Sequence, residues 1–345
     1  MSYNMLHGLV TRKNNQRQIA KKLVITSANA IVEERFVNVG GIEQWVSIRG
    51  EDHNNPVILI VHGGPASTYG IMSHLIRSCE KHFTVVQWDQ RGAGRTLRKN
   101  GVDGSGKLTF ERLVSDGIEL SEYLINHLGK EKLILIGSSV GSITGVMMVS
   151  KRPELFYAYV GTEQVSPDGR TLSYQLTYES LRQSGNSKSV HEMESIGSDG
   201  SKWSRKDFDR MNKITMEANH QVPNMVTDII LPAMMSTPNF SLLDLMDIAK
   251  GMRFSIDQLY DELLACDLCA VGLTFNIPFF IFQGEGDWIA PAAAAQKYLD
   301  LISAPHKEMI LIKQAGHLAM FANPDQFLQE LMSRVRPLAM TSAKV

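Results

Sequence analysis

A chain of 345 residues with 43% hydrophobic and 21% charged residues has the composition of an ordinary globular protein, large enough for one domain or for one domain carrying an insertion. Its 35 basic residues nearly cancel its 36 acidic ones, so no whole-protein field draws it to nucleic acid or to an anionic membrane, and no apolar run approaches the roughly 18 residues that a membrane span requires. Small-molecule chemistry is the default expectation, and three cysteines, Cys79, Cys266 and Cys269, suit a reducing, cytoplasmic setting better than a disulfide framework.

The basic cluster from Arg12 to Lys22 precedes a run, Leu23 to Val32, that is too polar for the apolar part of a signal peptide. Residues 1–30 are expected to form a solvated N-terminal extension. From about residue 31 to 162, short apolar runs alternate with longer helical patterns, the signature of βαβ units and a mostly parallel sheet. The expected strands are Arg35–Val39, Gln44–Ile48, Val57–Val61, Phe83–Trp88, Leu133–Ile136 and Tyr157–Val160. Gly40-Gly41 between the first two predicts an antiparallel hairpin at one edge. Gly101 to Lys107 has the spacing of a phosphate-binding loop, but Leu108 stands at the Ser/Thr position and no strand leads in, so a flexible loop is expected.

From 165 to 270 the sequence turns amphipathic, Met-rich and helical, which predicts an inserted helical domain. Met211, Met216, Met225, Met234, Met235, Met246 and Met252 are expected to pack it against the core. Cys266-Asp-Leu-Cys269 has CxxC spacing, but with no second pair and no His nearby no metal is assigned. Strand-like runs return at Ile277–Phe282 and Glu308–Ile312, so 31–164 and 271–345 together form the expected core.

Gly137-Ser-Ser-Val-Gly141 fits G-x-S-x-G, with an apolar strand before it and a plausible helix after it. A strand that turns sharply into a helix leaves no room for side chains two residues either side of the central one, which the two glycines provide. Ser139 is therefore the expected nucleophile. A serine hydroxyl needs a base, and His317, in the Gln-Ala-Gly-His loop after the last strand, is the best of ten histidines. Asp287, in Gln283-Gly-Glu-Gly-Asp287 after the preceding strand, is the expected acid that holds the imidazole. His62-Gly-Gly-Pro65, directly after the strand Val57–Val61, offers a backbone able to approach substrate closely at Gly63 and Gly64. The oxyanion donors are assigned to the N–H groups of Gly64 and Val140, and His62 is expected to be a structural residue.

These residues, with Trp88-Asp-Gln-Arg-Gly-Ala-Gly-Arg-Thr96, Pro153 to Gly161, Pro324-Asp-Gln-Phe327 and Val335-Arg-Pro-Leu338, resemble the proline iminopeptidase branch of the α/β-hydrolases. The resemblance implies an α/β-hydrolase fold, a mostly parallel sheet flanked by helices with a helical cap over 165–270. It implies hydrolysis of aminoacyl amides of short peptides, or of esters, with neither metal nor organic cofactor. Val140 stands where the branch usually has Trp, Ala66 where it often has Gly, and Glu163 where relatives have Gly in Gly-Thr-Gly-Gln. Glu163 at the end of the sixth strand is thus a candidate anchor for a substrate amine, as are the cap residues Glu179, Glu192, Glu194 and Glu217, and the resemblance also implies a second role for Glu163, since some α/β-hydrolases take the triad acid from that position. The alternatives from the same residues are a carboxylesterase or lactonase, a biosynthetic enzyme acting on a small ester or a carbon–carbon bond, and a non-catalytic binding module.

Overall fold

The structure, a computed structural model, describes residues 5–340; residues 1–4 and 341–345, the tips of the expected extension and core, lie outside the described residues. Eight strands form one sheet: β1 (Ile31–Val39), β2 (Ile42–Gly50), β3 (Val57–Val61), β4 (Thr84–Asp89), β5 (Leu133–Ser138), β6 (Phe156–Thr162), β7 (Phe279–Gly284) and β8 (Lys307–Ile312). Their order is β1-β2-β4-β3-β5-β6-β7-β8, with β2 antiparallel to both neighbours and every other pairing parallel. The β1–β2 turn needs positive φ at both central residues, and Gly40 (58°) and Gly41 (77°) take it without a Cβ clash.

The central strands are apolar on both faces because both are covered. Along β5, Leu133 and Leu135 enter one core while Ile134 and Ile136 enter the other. In β7, Phe279 and Ile281 divide from Phe280 and Phe282 in the same way. Helices pack on the two faces: α1 (Met5–Lys22), α2 (Gly94–Ser105), α3 (Phe110–Leu128) and α4 (Val140–Lys151) come before β6. Between β6 and β7 lie α5 (Gly169–Gln183), α6 (Ser187–Ile196), α7 (Arg205–Ala218), α8 (Leu231–Ser236), α9 (Leu242–Leu264) and α10 (Leu268–Val271). The chain then adds α11 (Ala292–Leu301) after β7 and the short α12 (Ala319–Ala322) after β8.

Three local expectations require correction. The basic segment is not a solvated tail: residues 5–22 are helical, and Arg12 is buried, donating to the carbonyls of Met234 and Phe240 beside α8. Residues 101–105 are not a loop but the end of α2, kinked at Gly101, where Ser105 Oγ donates to Gly101 O at 2.7 Å and Arg91 to Ser105 O at 2.9 Å. Among the methionines, Met211 and Met235 are buried, but Met246 and Met252 face solvent, at 68% and 39% exposure.

Candidate active site

Ser139 follows β5 directly and has φ 51°, ψ −125°, a conformation that L residues seldom take and that the surrounding packing must hold. A Cβ on Gly141 would lie 2.2 Å from Val61 O, and one on Gly137 would lie 2.9 Å from Ser142 Cα. Strand β3 and the first turn of α4 therefore close on the turn from both sides, and only glycine fits there. The serine sits at the N-terminus of α4, where the helix field favours negative charge.

His317 Nε2 lies 3.0 Å from Ser139 Oγ, and Nδ1 lies 2.9 Å from Asp287 Oδ2. A carboxylate only accepts, so Nδ1–H donates to Asp287 and Nε2 is left to accept the serine proton. Asp287, 2% exposed, is fixed by three more donors, the N–H groups of Ile289 and Ala290 at 2.9 Å and Gln283 Nε2 at 3.2 Å. Burial pulls the His317 pKa down, but the carboxylates of Asp287 and Glu163 outweigh it, and the net shift is upward. A hydroxyl bonded to an imidazole that a carboxylate orients can attack a carbonyl carbon.

The glycines of the His62 loop divide their tasks. Gly63 packs against the back of Ser139: a Cβ there would lie 2.7 Å from Ser139 Cβ and 2.8 Å from Ser138 O. Neither Gly63 nor Gly64 is among the residues that line the cavity in front of the serine. Among the described residues, no hydrogen bond occupies the N–H of Gly64 or of Val140, and Val140 lines the cavity in front of Ser139. His62 is a structural pin. Its Nδ1 donates to Gly63 O at 3.1 Å, Nε2 accepts from Gln90 N–H at 3.3 Å, and burial holds its pKa down at about 4.

Glu163, the candidate amine anchor, lies near the site, but its carboxyl is turned to protein donors and away from the cavity. It is 1% exposed and does not line the cavity, and its oxygens accept from Ser138 Oγ (2.5 Å), Thr162 Oγ1 (2.7 Å) and Ala319 N–H (2.6 Å). Burial raises its pKa. Ser138 also bonds Tyr69 at 2.6 Å, so a buried chain of Tyr69, Ser138 and Glu163 runs behind the serine turn to the loop that carries His317. The sequence reading missed Tyr69, Ser138 and Gln283. Alternation along β5 is the signal for Ser138, since adjacent strand residues point to opposite faces.

In front of Ser139 opens a cavity of about 1160 Å³, counting its mouth. Ser139, Val140, Ile289, Ala290 and His317 form its floor, and the 164–173 segment, the 199–203 loop, Phe208, Asn212, Leu263, Cys266 and Leu268 form its roof and walls. None of the four cap glutamates reaches it: Glu192 pairs with Arg210, Glu194 accepts from Tyr178, Glu217 lies near Lys213, and Glu179 is exposed. No group of three or more potential metal ligands occurs among the described residues, and none of their helices is long and apolar enough to cross a membrane.

Residues 56–324 match the family model described as alpha/beta hydrolase fold. The chain is 27% identical over 323 residues to a protein of Bacillus subtilis (strain 168) named as a probable aminopeptidase, YbaC, covering 91% of this chain and 99% of that one. It is 25% identical over 328 residues to the 2-hydroxy-6-oxo-6-(2'-aminophenyl)hexa-2,4-dienoic acid hydrolase of Metapseudomonas resinovorans, covering 93% and 95%. Among solved structures, the proline iminopeptidase-related protein TTHA1809 of Thermus thermophilus superposes with a TM-score of 0.59 at 18% identity, covering 90% of this chain and 99% of that one.

Proposed function

The chain belongs to the α/β-hydrolase fold family, and from that premise we propose that it is a serine hydrolase working through an acyl-enzyme. Ser139 attacks a substrate carbonyl while His317 Nε2 takes its proton, and Asp287 holds the imidazole and stabilises the imidazolium. The oxyanion that forms is met by the N–H groups of Gly64 and Val140. His317 then protonates the leaving group, and water, deprotonated by the same imidazole, releases the acid. The observation that carries the reading is the pair of contacts of 3.0 and 2.9 Å that joins Ser139 to His317 and His317 to Asp287.

In this reading 31–164 and 271–345 form the hydrolytic core, 165–270 caps it, and 1–30 is an extension docked on the cap. Three free thiols suit the reducing cytoplasm. The substrate proposed is a short peptide or aminoacyl amide from which N-terminal Pro or another small residue is released. The full-length likeness to a relative named as a probable aminopeptidase supports this. Of the cavity carboxylates, Asp199 is already paired with Lys202 at 2.9 Å, which leaves Asp168 at the mouth as the group available to a substrate amine. The second reading is cleavage of a small ester or a carbon–carbon bond, favoured by the apolar wall of Trp203, Phe208, Leu263, Leu268 and Ile289.

The test is covalent labelling by a fluorophosphonate, followed by hydrolysis of a prolyl arylamide, its N-acetyl form and p-nitrophenyl butyrate by wild type and Ser139→Ala. Labelling and turnover that both vanish in Ser139→Ala are expected, with the free-amine substrate preferred. Ser139-dependent cleavage of the ester alone would replace the peptidase by the second reading. Absence of labelling would overturn the serine mechanism.

A further inference from the structure

Charge in the cavity is unevenly matched. Besides His317, three ionisable side chains of formal charge line it: Asp168, Arg170 and Asp199. Asp199 is exposed and satisfied by Ser201 and Lys202, and Asp168 is exposed at the mouth, where water solvates it. Arg170 is different. It is the second residue of α5, half-buried, with its stem against Gly200, where a glycine Cβ would meet Arg170 Cβ at 2.7 Å. Its guanidinium donates to the main-chain carbonyls of Leu264, at 3.1 Å, and Leu263 at the C-terminal end of α9.

A guanidinium carries five N–H donors, so these two bonds leave three unassigned. Among the described residues no carboxylate pairs with it; the acidic neighbours that act on it are Cys266 and Tyr260, and both stay neutral near pH 7, since burial raises the pKa of each. Burial itself lowers the Arg170 pKa. The carbonyls at the negative end of α9 compensate the half-buried cation in part, and a carboxylate brought into the cavity would supply the counter-charge that no protein group among the described residues provides. Gly169, Thr171 and Ser173, at the positive end of the α5 dipole, line the same wall and add to the preference for negative charge.

We infer that the cavity takes an acyl compound bearing a carboxylate, with Arg170 as the residue that binds the carboxylate and favours such a compound over its neutral analogue. The inference rests on the reading of this cavity as the acyl-transfer site. Two sources share the chemistry, the free C-terminus of a short peptide and the acid group of a small carboxylated ester. Arg suits either, because its planar fork pairs with a carboxylate through two parallel hydrogen bonds.

The experiment measures binding rather than turnover, so its outcome is separable from that of the serine mechanism. Titration calorimetry on full-length Ser139→Ala would compare Pro-Ala with prolyl-alaninamide, and monomethyl glutarate with dimethyl glutarate. At least one acid should bind about tenfold more tightly than its neutral partner, the gap should narrow as salt is raised, and the pair that shows it identifies the source. Adding Arg170→Gln should bring the ratio near one, whereas Arg170→Lys should keep part of it. Equal affinities in both pairs, no measurable binding of either acid, or a preference that survives Arg170→Gln would overturn the inference. Arg170 also ties α5 to α9, so melting curves accompany each variant, and the salt dependence with Arg170 intact needs no variant at this position.

Discussion

Glu163 accepts the backbone N–H of Ala319 at 2.6 Å, which ties the end of β6 to the residue two places beyond His317. Glu163 has φ 47° and Leu318 φ 70°, so two unfavourable backbone conformations meet at this bond. The same carboxyl accepts from Ser138 and Thr162. Glu163→Ala strands buried donors at Ala319, Ser138 and Thr162 and should cost about 1–3 kcal/mol for each one left unpaired. Chemical denaturation would show this as a lower midpoint. An unfolding free energy within about 0.5 kcal/mol of wild type would mean that water replaces the carboxyl.

The charge of Glu163 also acts on His317, which makes its role distinguishable from packing. The His317 pKa is raised because Asp287 and Glu163 outweigh the lowering effect of burial. A protonated imidazole cannot accept the Ser139 proton, so kcat/KM should fall as pH drops through a value above the ordinary imidazole pKa of about 6.5. Removing a negative neighbour favours the neutral imidazole and shifts this limb to lower pH. Glu163→Gln should move it modestly with kcat largely recovered at high pH. Asp287→Asn should move it further and also cost on the order of 10⁴ in kcat, since the amide no longer fixes the imidazole tautomer. Profiles of kcat/KM against pH for the three proteins decide the matter, and a limb that stays in place in Asp287→Asn would assign the titration to another group.

Ser138 and Ser139 show which parts of the site are legible in the sequence. G-x-S-x-G distinguishes the two serines because its glycines report a steric demand that acts along the chain, and Ser139 does face His317. The role of Ser138 depends on Tyr69 and Glu163, distant in sequence, which meet it only once β5, β6 and the Tyr69–Lys81 segment are packed. The strands are readable for a related reason: buried parallel strands need apolar runs bounded by turns, and alternation along β5 follows from filling two cores. Arg12 departs from expectation because a basic run usually marks a solvated face. Its partners are main-chain carbonyls, which leave no trace in composition.

Gly141 tests the tightness of the serine turn apart from its chemistry. A methyl there would lie 2.2 Å from Val61 O and 2.5 Å from His62 O, both backbone atoms that cannot swing aside. Gly141→Ala should therefore force β3 and α4 apart, at about 1–3 kcal/mol or more. Because that displacement carries the His62 loop with it, fluorophosphonate labelling should fall more steeply than stability does. Equal melting and labelling relative to wild type would mean that the turn is looser than its contacts imply.

The docking of α1 is a separate, local prediction. Arg12 donates to Met234 O and Phe240 O, and Gln16 adds a bond to Thr237 O at 2.8 Å, so two side chains satisfy three carbonyls in the segment that ends α8 and leads to α9. On α1, Leu9 and Val10 are exposed, at 45% and 85%, and Lys21 and Lys22 in its last turn supply only the weak stabilisation of charges at a helix C-terminus. An isolated helix of this length is marginal in water, so its order depends on the docking bonds. Arg12→Ala should release it. Limited proteolysis should then cut within residues 8–25 well before the core is touched, with a loss of about 1–3 kcal/mol confined to local opening and little change in the global denaturation midpoint. If the segment stays as protected in Arg12→Ala as in wild type, the remaining contacts of α1 with α8 hold it without the guanidinium.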